Sequence, residues 1–254
     1  EMCIRDSYAG VTNKLLAKKA CKICVAYEGM ERFFDKGKII LTGNPVRQNL
    51  LNQQMSREDA IRSFNLDPTK KTVLIVGGSL GARTINNCVL NGLDQIRQSG
   101  VQFIWQTGKF YINEAKEKVG QAENYPMLHT TDFITDMAAA YSAADLVISR
   151  AGAGSISEFC LLGKPVILVP SPNVAEDHQT KNALALVAKD AALYIKDAEA
   201  SEKLLKTAIE TVQQPETLKK LSTNIAKLAF KDSANTIAEE VWKLALKYRE
   251  NHEH

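Results

Sequence analysis

Apolar and polar positions along the chain follow two patterns, one typical of β-strands and one typical of α-helices. Short apolar runs rich in β-branched residues predict six β-strands, over 72–76, 101–105, 128–133, 145–149, 165–169 and 192–195. Several of these runs are apolar on both faces, which is typical of strands buried on both sides of a parallel sheet. Between the first two, Ile85, Val89, Leu93 and Ile96 recur at helical spacing and predict one helix over 82–98. Strands and helices in this order predict a doubly wound α/β sheet.

The regions on either side of this predicted sheet are also α/β in character. The same patterns predict helices over 13–19, 30–34, 216–230 and 233–248, and strands over 21–27 and 38–41. Residues 1–6 match no recognisable element. The segment 42–46 predicts a hinge, because Pro45 biases the residue before it away from helix.

Composition narrows the function classes. The 254 residues are 45% hydrophobic and 24% charged, which predicts a globular chain of one large or two modest domains. The 32 basic and 29 acidic residues give a net charge of +3, too even for a nucleic-acid-binding face, so no nucleic acid is expected. No apolar run approaches the roughly 18 residues of a membrane span, and no secretory leader is recognised. We therefore expect a chain that meets a membrane only from the side.

Cysteine usage does not predict a disulfide framework, since the chain has five cysteines, an odd number. Cys21 and Cys24 have the spacing of a redox or zinc pair. They lie in a predicted strand, however, and the second pair of a zinc ribbon is missing. Packing is the role expected for them, in a reducing compartment.

Two glycine-rich turns follow buried strands and open predicted helices. In the first, Gly77-Gly-Ser-Leu-Gly-Ala82, backbone N–H groups and the helix dipole favour an anion, and glycine lets a phosphate approach. The second, Ala151-Gly-Ala-Gly154, opens a helix that carries Glu158. Because ligands bind at the carboxyl ends of parallel strands, the pair predicts a nucleotide diphosphate, with Glu158 accepting hydrogen bonds from ribose hydroxyls. Tight packing and a helix-dipole contact of Glu158 remain the alternatives.

A third polar segment follows the strand that ends near Pro170. Asp177 is predicted to be a helix N-cap, with His178, Gln179 and Asn182 in the next turns. This mixture of donors and acceptors suits a ligand rich in hydroxyl groups, although a solvated helix start explains it as well.

Six motifs stand in a characteristic order and spacing: Thr42-Gly-Asn-Pro-Val-Arg47, Gly77-Gly-Ser-Leu-Gly-Ala-Arg83, Asp132-Phe-Ile-Thr-Asp-Met-Ala138, Ser149-Arg-Ala-Gly-Ala153 with Ser157-Glu158, Gly163-Lys-Pro165 and Asp177-His-Gln-Thr-Lys-Asn-Ala183. Together they resemble the MurG family of glycosyltransferases, from about Ser7 almost to the C-terminus. The resemblance implies the GT-B fold, in which two Rossmann-like domains face each other across a cleft.

The resemblance also implies an activity. The family transfers N-acetylglucosamine from UDP-N-acetylglucosamine to lipid I, the undecaprenyl-linked muramoyl pentapeptide, and so makes lipid II for peptidoglycan. It works as a peripheral enzyme on the cytoplasmic side of the bacterial membrane. The implied reaction inverts the anomeric centre, with a base activating the acceptor hydroxyl. No cofactor or metal is implied, and the chain has no Asp-x-Asp pair. Helix dipoles and cations would stabilise the leaving diphosphate.

For the nucleotide, the resemblance carries four contacts over to this chain. Ser79 would hold the diphosphate on the turn that contains Gly77, Gly78 and Gly81. Arg47 would lie near the nucleotide. The backbone around Ile134 would read the uracil edge, and Glu158 would take the ribose hydroxyls.

For the donor sugar, the resemblance implies contacts from the Ala153 backbone and from Gln179, with His178 beside them. The family has an amide or a histidine at the position of His178. Asp6 stands where the family has an asparagine directed at the donor sugar, so this chain departs from the pattern there.

The implied domains are unequal. Residues 1–42 would be a remnant of the N-terminal acceptor domain, 43–230 the C-terminal UDP-sugar domain, and 231–254 a helix that packs back toward the acceptor domain. The family's glycine-rich acceptor loop has no counterpart here, so we expect an amino-terminally truncated sequence with a junction at residues 1–6. The catalytic base is not identified.

Two other functions remain open at this stage. One is a UDP-N-acetylglucosamine epimerase of the same fold, which would turn the donor over without an acceptor. The other is a nucleotide-sugar binding module without catalytic activity.

Overall fold

The computed structural model describes residues 2–47, 50, 55–120 and 124–250; residues 1, 48, 49, 51–54, 121–123 and 251–254 of the predicted domains lie outside the described residues. The strands are β1 (Met2–Ile4), β2 (Ile23–Val25), β3 (Ile39–Leu41), β4 (Thr72–Val76), β5 (Gln102–Gln106), β6 (Leu128–Thr131), β7 (Leu146–Ser149), β8 (Val166–Leu168) and β9 (Leu193–Tyr194). The helices are α1 (Val11–Ala17), α2 (Arg57–Ser63), α3 (Arg83–Asn91), α4 (Leu93–Gln98), α5 (Ile112–Val119), α6 (Met137–Ala143), α7 (Ala153–Leu162), α8 (His178–Val187), α9 (Ala200–Val212), α10 (Pro215–Ala226) and α11 (Ser233–Glu250).

The larger sheet has six parallel strands in the order β6-β5-β4-β7-β8-β9. All six were predicted, and the bounds agree to within two residues at each end. At the carboxyl edge, Val76 of β4 lies opposite both Gln106 of β5 and Ser149 of β7. The loops that follow these strands therefore leave the sheet side by side.

Helices cover both faces of this sheet. Along β4, Leu74 and Val76 pack into one core with side chains such as Phe159 of α7. The intervening Val73 and Ile75 pack into the opposite core with side chains of α3, α4 and α9. Alternate residues of a strand point to opposite faces, so both sets are buried and the doubly wound architecture is confirmed.

The smaller sheet joins β1, β2 and β3 in parallel. Ile4, Ile23 and Val25 form its core with Met30 and Phe34. The prediction that residues 1–6 form no element was wrong, because Met2–Ile4 pairs along the whole length of β2. Three residues are too few for periodicity to reveal a strand, and the partner lies 21 positions away.

Buried polar contacts tie the smaller sheet to the larger unit. Asn182 of α8 accepts hydrogen bonds from the N–H and the hydroxyl of Ser7, both at 2.8 Å, and donates to Asp6. Asn44, in the predicted hinge, donates to the Arg5 carbonyl at 3.0 Å and to the Ser157 hydroxyl at 3.1 Å. The segment 42–46 is thus held on both sides, by the residue that follows β1 and by α7.

Two predicted helices and one predicted helix cap differ from the structure. The predicted helix over 82–98 is two helices, α3 and α4, because the backbone of Gly92 leaves the helical conformation (φ −107°, ψ 17°). Leu205 of α9 packs 2.1 Å from where a Cβ at position 92 would stand, so this position has room only for glycine. The predicted helix over 30–34 is a 3-10 turn, Met30–Arg32. Asp177 precedes α8, but its backbone is left-handed (φ 52°) and its side chain makes no capping hydrogen bond. No helix was predicted from the sequence over the residues of α9, Ala200–Val212.

Helix α11 follows α10 and is solvent-exposed along most of its length. Ser233, its first residue, is buried, whereas Trp242 is 66% and Tyr248 is 67% exposed. No helix in the described ranges is long and apolar enough to cross a membrane.

Replacing His129 with glutamine is expected to make folding less sensitive to acid. The His129 ring lies edge-on against Phe64, with centroids 5.1 Å apart, and burial lowers its pKa below the usual 6.5. In the unfolded chain the imidazole takes up a proton near pH 6.5, whereas in the folded chain it does so only at lower pH. The free energy of unfolding therefore falls as the pH drops through this window.

Urea denaturation of both proteins at pH values from about 7 down to about 5 measures this effect. The decline in free energy of unfolding should be shallower in the His129→Gln variant. Equal slopes would show that His129 does not contribute to acid sensitivity.

Candidate functional site

The glycine turn after β4 is held in one conformation by its neighbours. Gly78 and Gly81 have φ values of +86° and +90°, which side chains rarely tolerate. Gly108, after β5, packs directly on this turn: a Cβ there would lie 2.2 Å from the Gly81 nitrogen. The turn ends at Ala82, where α3 begins and presents its first N–H groups. The predicted anion-binding turn is therefore rigid and closely packed.

A cavity of about 610 Å³ opens in front of this turn. The residues that line it come from the segments that follow β4, β5, β7, β8 and β9 and from the start of α8: Gly77–Thr84, Tyr111, Arg150, Ser171–Asn173, Asp197 and Gln179. Of the predicted donor-binding set, the structure brings Gly77, Gly78, Ser79, Gly81 and Gln179 together around this single cavity.

Arg150, like Arg83, lies in the cavity wall. Its Nη1 donates to the carbonyl oxygens of Val169 and Pro170 at 3.0 and 3.1 Å, and it forms an ion pair with Asp197. Asp197 also accepts a hydrogen bond from the Thr84 hydroxyl, at 2.8 Å. Sequence reasoning missed this network, although a charged residue directly after a buried strand is a signal for Arg150.

Glu158 lies in a second cluster with Arg47. The Nε and Nη2 atoms of Arg47 donate to Glu158 Oε1 at 3.0 and 2.9 Å, and the Tyr141 hydroxyl donates to Oε2 at 2.8 Å. Burial, then the charge of Glu158 and the hydrogen bond to it, raise the pKa of Tyr141 well above its usual range. Tyr141 therefore stays protonated as a donor and fixes the carboxylate.

Gln179 joins two of the loops through its side chain. Its Oε1 accepts from the N–H of Ala151 at 3.2 Å and from the N–H of Ser171 at 2.9 Å. The amide oxygen is thus committed to the backbone after β7 and β8. The NH₂ group of Gln179 is the donor it can offer to a ligand.

Two of the other predicted residues lie at the starts of helices, and Ile134 lies in the loop between β6 and α6. Ala153 and His178 are the first residues of α7 and α8. Ile134 is 4% exposed, and its N–H donates to Gln106 Oε1 at 3.0 Å. The N–H of Ile134 is therefore already paired within the protein.

The structure gives no support for a redox or zinc role of the pair formed by Cys21 and Cys24. Cys24 is buried in β2, whereas Cys21 is exposed and lies just before that strand, so neither is at the start of a helix. Across the described parts of the chain, no group of three or more His, Cys, Asp or Glu side chains is arranged to hold a metal ion.

The sequence matches a family model over most of the larger unit. Residues 72–237 match the glycosyltransferase family 28 C-terminal domain. A protein of Phocaeicola vulgatus is 80% identical over 245 residues, which are 96% of this chain and 65% of that protein. One of Cytophaga hutchinsonii is 49% identical, over 94% of this chain and 64% of that protein. This chain therefore spans less than two thirds of these relatives.

Both relatives are named UDP-N-acetylglucosamine--N-acetylmuramyl-(pentapeptide) pyrophosphoryl-undecaprenol N-acetylglucosamine transferase. Among solved structures, Acinetobacter baumannii MurG matches with a TM-score of 0.74 at 25% identity, over 95% of this chain and 66% of that one. The UDP-GlcNAc 2-epimerase of Neisseria meningitidis, bound to UDP-GlcNAc, matches with a TM-score of 0.65 at 16% identity, over 91% and 64%. These matches confirm the α/β fold of the GT-B type and the resemblance drawn from the motifs.

Substitution of Gly108 by alanine is expected to destabilise the fold by about 2–4 kcal/mol, since it combines a left-handed backbone with a backbone clash. The φ of Gly108 is +81°, and its neighbours at Gly81 are main-chain atoms that cannot swing away. Urea denaturation measures the loss.

Gly154 provides the matched control. It lies inside α7, and a Cβ there would meet nothing within 4 Å. The Gly154→Ala variant should gain about 0.5–1 kcal/mol from the lower helix cost of alanine. Equal effects at the two positions would contradict the packing described for the turn.

Proposed function

The chain belongs to the family of glycosyltransferase family 28 C-terminal domains, and on that premise we propose that it binds the donor of an N-acetylglucosaminyltransferase. The whole enzyme would transfer N-acetylglucosamine from UDP-N-acetylglucosamine to lipid I. The observation that carries the proposal is the cavity in which the rigid glycine turn, Arg150 and Gln179 meet. The shared name of the two relatives supports the choice of donor and acceptor.

The diphosphate would lie against the glycine turn. The N–H groups at the start of α3 point toward an anion there, and Ser79 adds an exposed hydroxyl. As the bond to the sugar breaks, negative charge grows on the leaving UDP. Preorganised N–H dipoles and the Arg150 guanidinium stabilise that charge without reorganisation.

The nucleoside would lie at the carboxyl edge of the larger sheet, beside Glu158 and Ile134. A carboxylate has about four acceptor positions, of which Arg47 and Tyr141 occupy three, so Glu158 retains capacity for a ribose hydroxyl. The side chain of Arg47 is 55% exposed and that of Glu158 is 13% exposed. Arg47 is therefore the partner able to turn toward the nucleotide. The Ile134 carbonyl would accept the uracil N3–H.

The donor sugar would contact the Ala153 backbone and the Gln179 amide, with His178 beside it. The starts of α7 and α8, which carry these residues, lie at the same sheet edge as the glycine turn. The carbohydrate offers hydroxyl and amide groups to such a mixed set of donors and acceptors.

The proposed acceptor follows from the names of the relatives. In this proposal residues 1–42 belong to an acceptor domain, 43–230 to the donor domain, and 231–254 to a helix that returns to the acceptor domain. Lipid I is membrane-bound, so the whole enzyme would work on the cytoplasmic membrane face as a peripheral protein.

A substitution of Glu158 by glutamine is expected to weaken UDP-N-acetylglucosamine binding by about tenfold to a hundredfold. Such a change corresponds to about 1.5–3 kcal/mol, the range for a hydrogen bond to a charged group. Isothermal titration calorimetry on the chain measures the affinity.

Asp145→Asn is the matched control. Asp145 is 12% exposed and pairs with Arg57 at 2.6 Å, but it precedes β7 at the opposite edge of the sheet. Its variant should bind the donor as tightly as the unmodified chain. No binding at millimolar donor, or equal binding by Glu158→Gln and the unmodified chain, would reject the donor site.

Transfer itself is tested by supplying the amino-terminal third. When that part of the Phocaeicola vulgatus relative is grafted ahead of Ser7, radiolabelled N-acetylglucosamine should pass from UDP-N-acetylglucosamine to lipid I. Release of the C2 epimer of the donor without acceptor would instead favour the epimerase function that several structural neighbours carry in their names. Donor binding with neither product would indicate a binding module.

A further inference from the structure

Gln106 stands between two of the loops assigned above. It is the last residue of β5, and its register partners are Val76 on one side and Thr131 on the other. It is 5% exposed, although a glutamine at the carboxyl end of a strand is free to face solvent. Its burial requires partners for both halves of its amide.

The two halves of the amide bond to different loops. Nε2 donates to the Gly78 carbonyl at 3.2 Å, and Oε1 accepts from the Ile134 N–H at 3.0 Å. If the amide were flipped, its NH₂ group would face the Ile134 N–H and its oxygen would face the Gly78 carbonyl, and neither hydrogen bond could form. The orientation of the side chain is therefore fixed, and Gln106 links the glycine turn to the Ile134 segment.

The residues after Gln106 repeat this link through the backbone. The N–H of Gly108 donates to the Asp132 carbonyl at 3.1 Å, toward the Ile134 segment. The N–H of Lys109 donates to the Ser79 carbonyl at 3.2 Å, in the glycine turn. The end of β5 thus bonds both loops, and Gln106 is the side chain that connects their central residues.

We propose that Gln106 is a positioning residue that sets the spacing between the loop for the diphosphate and the loop for the base. This inference rests on the proposed donor site and adds a determinant of its ligand class. A nucleoside diphosphate touches both loops at once, so it gains from a spacing that is fixed before binding. A ligand that touches only one loop gains nothing from that spacing.

The first test compares two glutamines of the same strand. Gln102, at the other end of β5, is 1% exposed and also uses both halves of its amide, bonding to Asp67 and Thr72. The Gln106→Met variant should lose at least about tenfold in affinity for UDP, whereas uridine alone and pyrophosphate alone should change by less than about threefold. Gln102→Met should leave UDP binding unchanged.

A second variant provides a pH signature. In Gln106→Glu, a protonated carboxyl has both a donor for the Gly78 carbonyl and an acceptor for the Ile134 N–H, whereas the ionised form has no donor. The UDP affinity of this variant, divided by that of the unmodified chain at each pH, should fall as the pH rises from about 5 to about 9. Taking the ratio removes the titration of the phosphate itself.

Calorimetry with UDP, uridine and pyrophosphate decides the outcome. The inference is overturned if Gln106→Met binds UDP as tightly as Gln102→Met, or loses all three ligands in equal proportion. A Gln106→Glu affinity ratio that does not change with pH also overturns it. Failure of the donor site itself looks different, because the unmodified chain would then bind neither UDP nor UDP-N-acetylglucosamine.

Discussion

Burial of the larger sheet on both faces is the constraint on which the rest of the molecule depends. Helices cover both faces of the sheet. Neighbouring side chains of one strand, such as Leu74 and Ile75, point to opposite faces, and both are buried. A polar group in the middle of such a sheet would lose its hydration without a partner. Chemistry is therefore confined to the strand ends. Because all six strands are parallel, their carboxyl ends share one edge, and the glycine turn, Glu158 and Gln179 lie there.

Close packing carries this constraint from the sheet into the site. Gly81 and Gly108 touch backbone to backbone, and a side chain on either would overlap main-chain atoms of the other loop. The turn consequently keeps its shape in the absence of a ligand. An anion that binds there meets N–H groups already in place, so little conformational entropy is lost on binding. The glycines that permit the fold at this edge are the same ones on which the proposed anion site depends.

The sequence predicted the six strands well because most of them are short apolar runs between turn residues, although β6 reads Leu-His-Thr-Thr and β5 begins and ends with glutamine. The helix over 82–98 was predicted as one element because a glycine is tolerated in a helical pattern. The contact with Leu205, more than 100 residues later, shows why position 92 has no room for a side chain. Most predicted site residues lie at strand ends, where local motifs indicate them. Tyr141 and Gln106 escaped prediction, since their partners are distant in sequence and a tyrosine or glutamine near an apolar run has no distinctive pattern.

The two ion pairs at the carboxyl edge differ in a way that bears on how a ligand could enter. The side chains of Arg150 and Asp197 are 17% and 19% exposed, and separating a pair so buried leaves an uncompensated charge, at a cost of about 3–5 kcal/mol. Arg47 is 55% exposed, and an exposed pair contributes only about 0–1 kcal/mol, so its bond to Glu158 is readily exchanged. The cavity wall near the glycine turn therefore stays fixed while the Glu158 end can change partners. The Arg47–Glu158 contact is therefore the one of these two pairs that can rearrange at little cost.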